Sequence, residues 1–133
     1  MKKPIIIIII AVIVIAAAAG LYFFVLSGDK EKPEVRVEYS PGEFFTTNVS
    51  GSSRILKATI VLVVNTDGLE EMLTAENARI RDTIIFILRR LTEDEIRAEG
   101  TQDELRETII TRLNETLSID NFVEVLFNDF VMA

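Results

Sequence analysis

The sequence contains no cysteine, no histidine and no tryptophan. Without cysteine there is no disulfide framework, no thiolate nucleophile and no lipid-modified thiol; without histidine there is no imidazole ligand and no side chain that titrates near neutrality unperturbed. Cation excess is missing too. The 133 residues hold 14 Lys plus Arg against 21 Asp plus Glu, a formal charge of −7. That balance argues against binding a phosphate backbone, which depends on Lys and Arg displacing counterions. A nucleic-acid partner is therefore not expected.

What the chain does have is an uneven distribution of apolar residues. Between Pro4 and Leu26 every residue except Pro4 and Gly20 is apolar, and no charge occurs from Ile5 to Leu26. At a rise of about 1.5 Å per residue this stretch makes a helix of roughly 33 Å, enough to cross a hydrocarbon core of about 30 Å. The run Ile5 to Ile10 has middling helix propensity in water, but in lipid every backbone group must be satisfied internally, which leaves the helix as the available form. Tyr22, Phe23 and Phe24 suit an interfacial anchor. Lys2 and Lys3, retained on the cytoplasmic side, would place the remainder of the chain outside; the flank Asp29 to Lys32 carries mixed charges. A cleaved signal peptide ending near Ala17-Ala18-Ala19 is the competing reading. It would leave a mature end beginning Gly20-Leu21-Tyr22-Phe23-Phe24, an apolar tail with no cover, so an uncleaved anchor explains these residues better. Ala16 and Gly20 form a small-xxx-small pair, which an Ala-rich span also produces by chance.

The expected organisation is a cytoplasmic start over residues 1–3, a span over 4–26, a linker and possible first strand over 27–38, and an extracytoplasmic domain over 39–133. Ser27 to Glu34 is polar with one Pro and one Gly, the composition of an exposed connection. Val35, Val37 and Tyr39 alternate with charged residues, predicting a first strand; Glu43 to Val49 is a second extended piece, turned back by Ser50 to Ser53. From Arg54 to Asn65 one face presents Leu56, Ala58, Ile60, Leu62 and Val64, and the other is polar at its start and apolar later, as in a central strand covered on both sides toward its end. Thr74 is a candidate cap for a helix with the stripe Ile80, Ile84, Ile87, Leu88, Leu91. Thr92 with Glu95 and Thr101 with Glu104 fit the T-x-x-E capping box, predicting a short helix stopping at Gly100 and a longer one carrying Leu105, Ile109, Leu113 and Leu117. Asn121 to Met132 reads as a last strand paired with 54–65, with Val123, Val125, Phe127 and Val131 on one side and Phe122, Leu126, Phe130 and Met132 on the other. The order gives an α+β domain with an antiparallel or mixed sheet packed by helices.

Candidate chemistry is sparse. Asn65 to Gly68 followed by Glu70 and Glu71 supplies oxygen ligands, but the glycine is misplaced for an EF-hand loop, and a strand-ending turn explains it. Glu93 to Glu95 sits where carboxylates favour a helix start. Ser52 and Ser53 lack the usual activating base. The sequons at Asn48 and Asn114 arise often by chance. No catalytic residue, metal site, cofactor or small-molecule substrate is expected. Ile84 to Leu88 stands out, because five consecutive apolar residues leave more than one helical turn without a polar side. Burial between sheet and later helix is one account; contact with a second copy or a partner, rimmed by Arg89 and Arg90, is the other.

Together these stretches resemble a known family. Phe45-Thr46-Thr47-Asn48-Val49, Arg54 to Ile60, Arg81 to Ile85, Leu91-Thr92, Leu105-Arg106 before Leu113-Asn114, and Val125 to Val131 are similar, in order and spacing, to the flagellar basal body-associated protein FliL family. The resemblance implies a single-pass protein of the bacterial inner membrane whose periplasmic domain has a stomatin/prohibitin-like fold. It further implies a homo-oligomeric ring around the motor stator, MotA with MotB, that holds the stator engaged under load. Ile84, Phe86, Leu88, Arg89 and Arg90 of the helix, with Arg54 and Lys57 of the long strand, are the residues expected at ring or stator contacts. A stomatin-like scaffold for another membrane complex and a secreted ligand-binding domain are the competing functions.

Overall fold

A computed structural model describes residues 2–28 and 34–133, and the chain divides into two compact units after Glu34. In the first, helix α1 runs Lys3–Gly28. The stretch Lys3–Leu26 is long and apolar enough to span a membrane, and none of its most hydrophobic window is buried within the protein. A helix apolar all round and covered by nothing of its own needs an apolar solvent. The expected ends of the span, Ile5 and Leu26, both lie in this helix, which continues through Ser27 and Gly28 where the linker was expected to begin. The rest of the expected linker up to Pro33 falls outside the described residues.

The second unit is built on one long strand. Strands β1 (Val37–Tyr39), β2 (Phe45–Asn48), β3 (Ile55–Val64) and β4 (Phe122–Met132) form a fully antiparallel sheet in which β3 pairs with all the others. Leu62 is opposite both Tyr39 and Val125, and Ala58 opposite both Phe45 and Phe130. A strand has two edges, so β4 holds one edge of β3 along its length while β2 and β1 share the other. Leu56, Ala58, Ile60, Leu62 and Val64 are all buried, which confirms the predicted core face. On the opposite face Ile55 and Lys57 are exposed and Val63 is fully buried. The ion pair between Arg36 and Glu124 joins the β1 side to the β4 side across Val63, whose own cross-strand partners are Glu38 and Glu124.

The last strand pairs as expected, but its faces do not follow simple alternation. Its register slips between Thr59 and Ile60 and again between Val63 and Val64, leaving Asn128 and Val123 as unpaired extra residues. Each bulge reverses the parity of the strand beyond it. Phe122, Val125, Phe127, Phe130 and Met132 therefore share the core face, although a strict period of two assigns them to opposite sides. The arrangement uses two extra residues to gather four of the five bulkiest residues of β4 over the core.

Helices α2 (Glu70–Ala75), α3 (Asn77–Leu88), α4 (Glu93–Arg97) and α5 (Thr101–Leu117) complete the unit. Two expected caps are corrected. Thr74 lies inside the additional short helix α2, and α3 begins after Glu76 with no side-chain cap. Thr101 is the first residue of α5 after Gly100 at φ 84°, and its hydroxyl donates to Glu95 O instead of capping its own helix. Thr92 caps α4 as expected, accepting from Glu95 N at 3.3 Å. Ile80, Ile84 and Leu88 of α3 and Leu105, Ile109 and Leu113 of α5 pack with the sheet into one core. Asn114 fastens α5 to β4, donating to Phe122 O and accepting from Phe122 N, both at 3.1 Å. That use of its amide gives the Asn114 sequon a structural role.

Candidate functional site

The apolar run of α3 resolves into two sets of residues. Ile84 is fully buried, Leu88 is 1% exposed and Ile87 is buried, so helical geometry turns them toward the core. Ile84 and Leu88, expected at a partner contact, are core residues. Burial of this run between the sheet and α5 is the account the structure supports. Ile85 is only partly buried, and Phe86 is 48% exposed, with the Arg90 guanidinium 5.4 Å from its ring centroid. Arg89 and Arg90 are both exposed.

The two cations of β3 are engaged differently. Lys57 lies 4.7 Å over the ring of Phe44, itself half-exposed. Arg54 Nε is 3.5 Å from Glu93 Oε1, and Arg97 Nη1 is 3.3 Å from Glu93 Oε2. Ser52 Oγ donates to the same carboxylate and accepts from Arg54 N. The Ser52 hydrogen bond, aided by the two guanidinium groups, holds the Glu93 carboxyl below its ordinary range. A carboxylate made less basic is poorly suited to activating a hydroxyl, so this cluster reads as a tie between the turn at 50–53 and the start of α4. Glu93 thus does more than complement a helix dipole: it links to Ser52, 41 residues away, a tie that local sequence does not display.

A second tie is formed by Arg81 of α3. Its guanidinium donates to Pro41 O at 3.0 Å and Phe44 O at 3.2 Å while lying 4.3 Å over the Phe45 ring. Gly42, at φ 150°, permits the approach: a Cβ there would stand 2.2 Å from Arg81 Nη1. Tyr39 similarly ties β1 to the helices, donating to Asn77 Oδ1 at 2.8 Å, and its burial pushes the phenol pKa up.

Between β2 and the C-terminal half of α3 lies a groove of about 520 Å³, lined by Thr46, Thr47, Asn48, Ser50, Ile55, Ile85 and Arg89. It brings the start of β3 and the end of α3 to one place, but through Ile55, Ile85 and Arg89; of the seven residues expected at a contact, Arg89 alone lines it. Thr47 was not anticipated there. Among the described residues no group of three or more acidic side chains could hold a metal ion, and the turn at Asn65 is closed by Asn121, which donates to Asn65 Oδ1 at 3.0 Å.

The segments converging on this groove, β2, the start of β3 and the Arg81 to Ile85 turn of α3, are among those whose order and spacing carry the family resemblance. The model of the flagellar basal body-associated protein FliL matches residues 39–132, from the end of β1 to the last residue of β4. The chain belongs to the FliL family. A FliL relative from Aquifex aeolicus, described as flagellar protein FliL, is 31% identical over 103 residues, covering 75% of this chain and 63% of that protein. The present chain therefore spans less than two thirds of that relative's length. The family is described as flagellar basal body-associated, and the apolar α1 fits the single-pass membrane attachment expected from the sequence.

Proposed function

We propose that this FliL-family chain is a non-catalytic support for the flagellar stator. Its amino terminus lies in the cytoplasm, α1 crosses the inner membrane, and the domain from residue 39 onward stands in the periplasm. Copies of that domain assemble as a ring around the MotA/MotB unit and favour its engaged state, sustaining torque and motility under load. The observation that carries this reading is the FliL match along essentially the whole folded unit, 39–132, behind an apolar helix of membrane-spanning length. The charge order agrees with the orientation: Lys2 and Lys3 precede the span.

The means is differential binding, since a scaffold shifts a two-state stator only by as much as it binds one state better than the other. Phe86, Arg89, Arg90, Arg54 and Lys57 are the exposed members of the predicted contact set and supply the apolar and cationic character such a contact uses. Ile84 and Leu88 hold the helix that presents them. A stomatin/prohibitin-like domain architecture is part of the same proposal. Deleting the chain is expected to lower swimming speed steeply as medium viscosity rises while leaving filaments assembled. Unchanged speed at high viscosity, or cells without filaments, would count against a support role.

A further inference from the structure

The free edge of β2 is a hydrogen-bonding ladder used at one end and open along the rest. Val49 N donates to Arg54 O at 3.1 Å, and alternation along an antiparallel pair then places Thr47 and Phe45 among the residues bonded to β3. Thr46 and Asn48 consequently direct their N–H and C=O groups away from β3. Ser50, in the same phase, already uses that side: its N–H donates to Leu91 O at 2.9 Å, and it bridges in parallel with Thr92. At Thr46 and Asn48 the same edge faces the groove beside α3 with no backbone partner among the described residues.

Two further observations point to a ligand there. Thr47 is 7% exposed, and its hydroxyl is buried with no hydrogen-bond partner. A buried hydroxyl left without a partner is costly and calls for one. The Arg89 guanidinium makes no hydrogen bond or ion pair among the described residues, and it is the only charge lining the groove in a chain whose net charge is −7. Ile55 and Ile85 supply apolar walls.

We propose that this groove binds an extended, carboxylate-bearing peptide segment of a partner protein as an added strand on β2, with Arg89 taking the carboxylate. The occupant is chosen by what the groove leaves unsatisfied. A helix satisfies its own backbone and would leave the Thr46 and Asn48 groups open; a small anion could accept from Arg89 and an N–H but has no donor for the outward C=O groups. An extended segment meets both, with backbone bonds giving affinity and the acidic residue fixing register. The proposal rests on this edge alone and stands whether or not the chain serves a stator.

The test uses the full chain in lipid nanodiscs and a phage-displayed library of random hexapeptides. Selected peptides are expected to share an Asp or Glu at one fixed position, and a synthetic peptide of the selected sequence should lose about tenfold in affinity to Arg89→Gln, the size of a charge-assisted hydrogen bond. Asn48→Pro removes an outward N–H that β3 does not use and should abolish binding, whereas Asn48→Ala keeps that N–H and should retain it. Methylating alternate peptide amides should also abolish binding. No enrichment, enrichment without an acidic position, or affinity unchanged by Arg89→Gln or Asn48→Pro would overturn the proposal. An equal loss with Asn48→Ala would place the effect in the side chain and overturn the added-strand geometry.

Discussion

Glu93 concentrates more polar contacts than any other carboxylate described here, and its titration gives the cluster a pH signature. Its folded-state pKa is lowered, chiefly by the Ser52 hydrogen bond and then by Arg54 and Arg97, from an ordinary value of 4.5. In the window between the two values the unfolded chain binds more protons, so stability rises with pH there. The contribution is fully present above pH 4.5 and is lost as pH falls through the lower, folded-state value. Thermal unfolding followed from about pH 3 to 6 should show a decline toward acid that is shallower in Glu93→Gln. A second residue-scale test concerns Gly42. Gly42→Ala sets a methyl group against Arg81 and forces a backbone angle that side chains resist, so about 1–3 kcal/mol of stability should be lost in denaturant unfolding. Arg81→Ala should recover part of the steric component while losing the bonds to Pro41 and Phe44.

Among the elements, α3 and β4 mark how far sequence patterning reaches. The core face of β3 was legible because Leu56, Ala58, Ile60, Leu62 and Val64 fall at every second position, and its central place followed from the apolar turn of its second face. In β4 the same rule fails at Val123 and Asn128, because a bulge is a property of two paired strands and not of one sequence. Deleting Asn128 should therefore leave the core face of the strand intact. The deletion removes the unpaired residue, restores strict alternation and keeps Phe130 opposite Ala58 and Met132 opposite Leu56, so cooperative denaturant unfolding is the expected outcome and its loss would contradict the bulge. In α3, helical stripe and apolar run were both legible, but which of five neighbours stays outside depended on where α5 and β2 sit. Ile84→Ala should cost about 2–5 kcal/mol in denaturant unfolding, as for a core truncation, whereas Phe86→Ala, half-exposed, should change stability little. The groove was the least legible feature. Thr47 is an ordinary strand residue until the partnerless hydroxyl and the open edge beside it are seen together, and Arg89 was foreseeable as a contact cation but not as the groove's sole charge.

At the scale of the whole molecule, an apolar helix with no cover of its own precedes a folded unit stabilised by one core, and the FliL family match spans that unit. In the proposed reading the helix imposes a location and the domain supplies surfaces for binding near the membrane. The most direct measurement of the stator-support proposal is recovery of the intact chain with detergent-solubilised MotA/MotB units from motile cells, compared with a chain carrying Phe86→Ala, Arg89→Gln and Arg90→Gln. The intact chain should co-purify with the stator as a multimer, and the triple variant, still folded, should not. An intact chain recovered apart from the stator, as a monomer, would contradict the proposal.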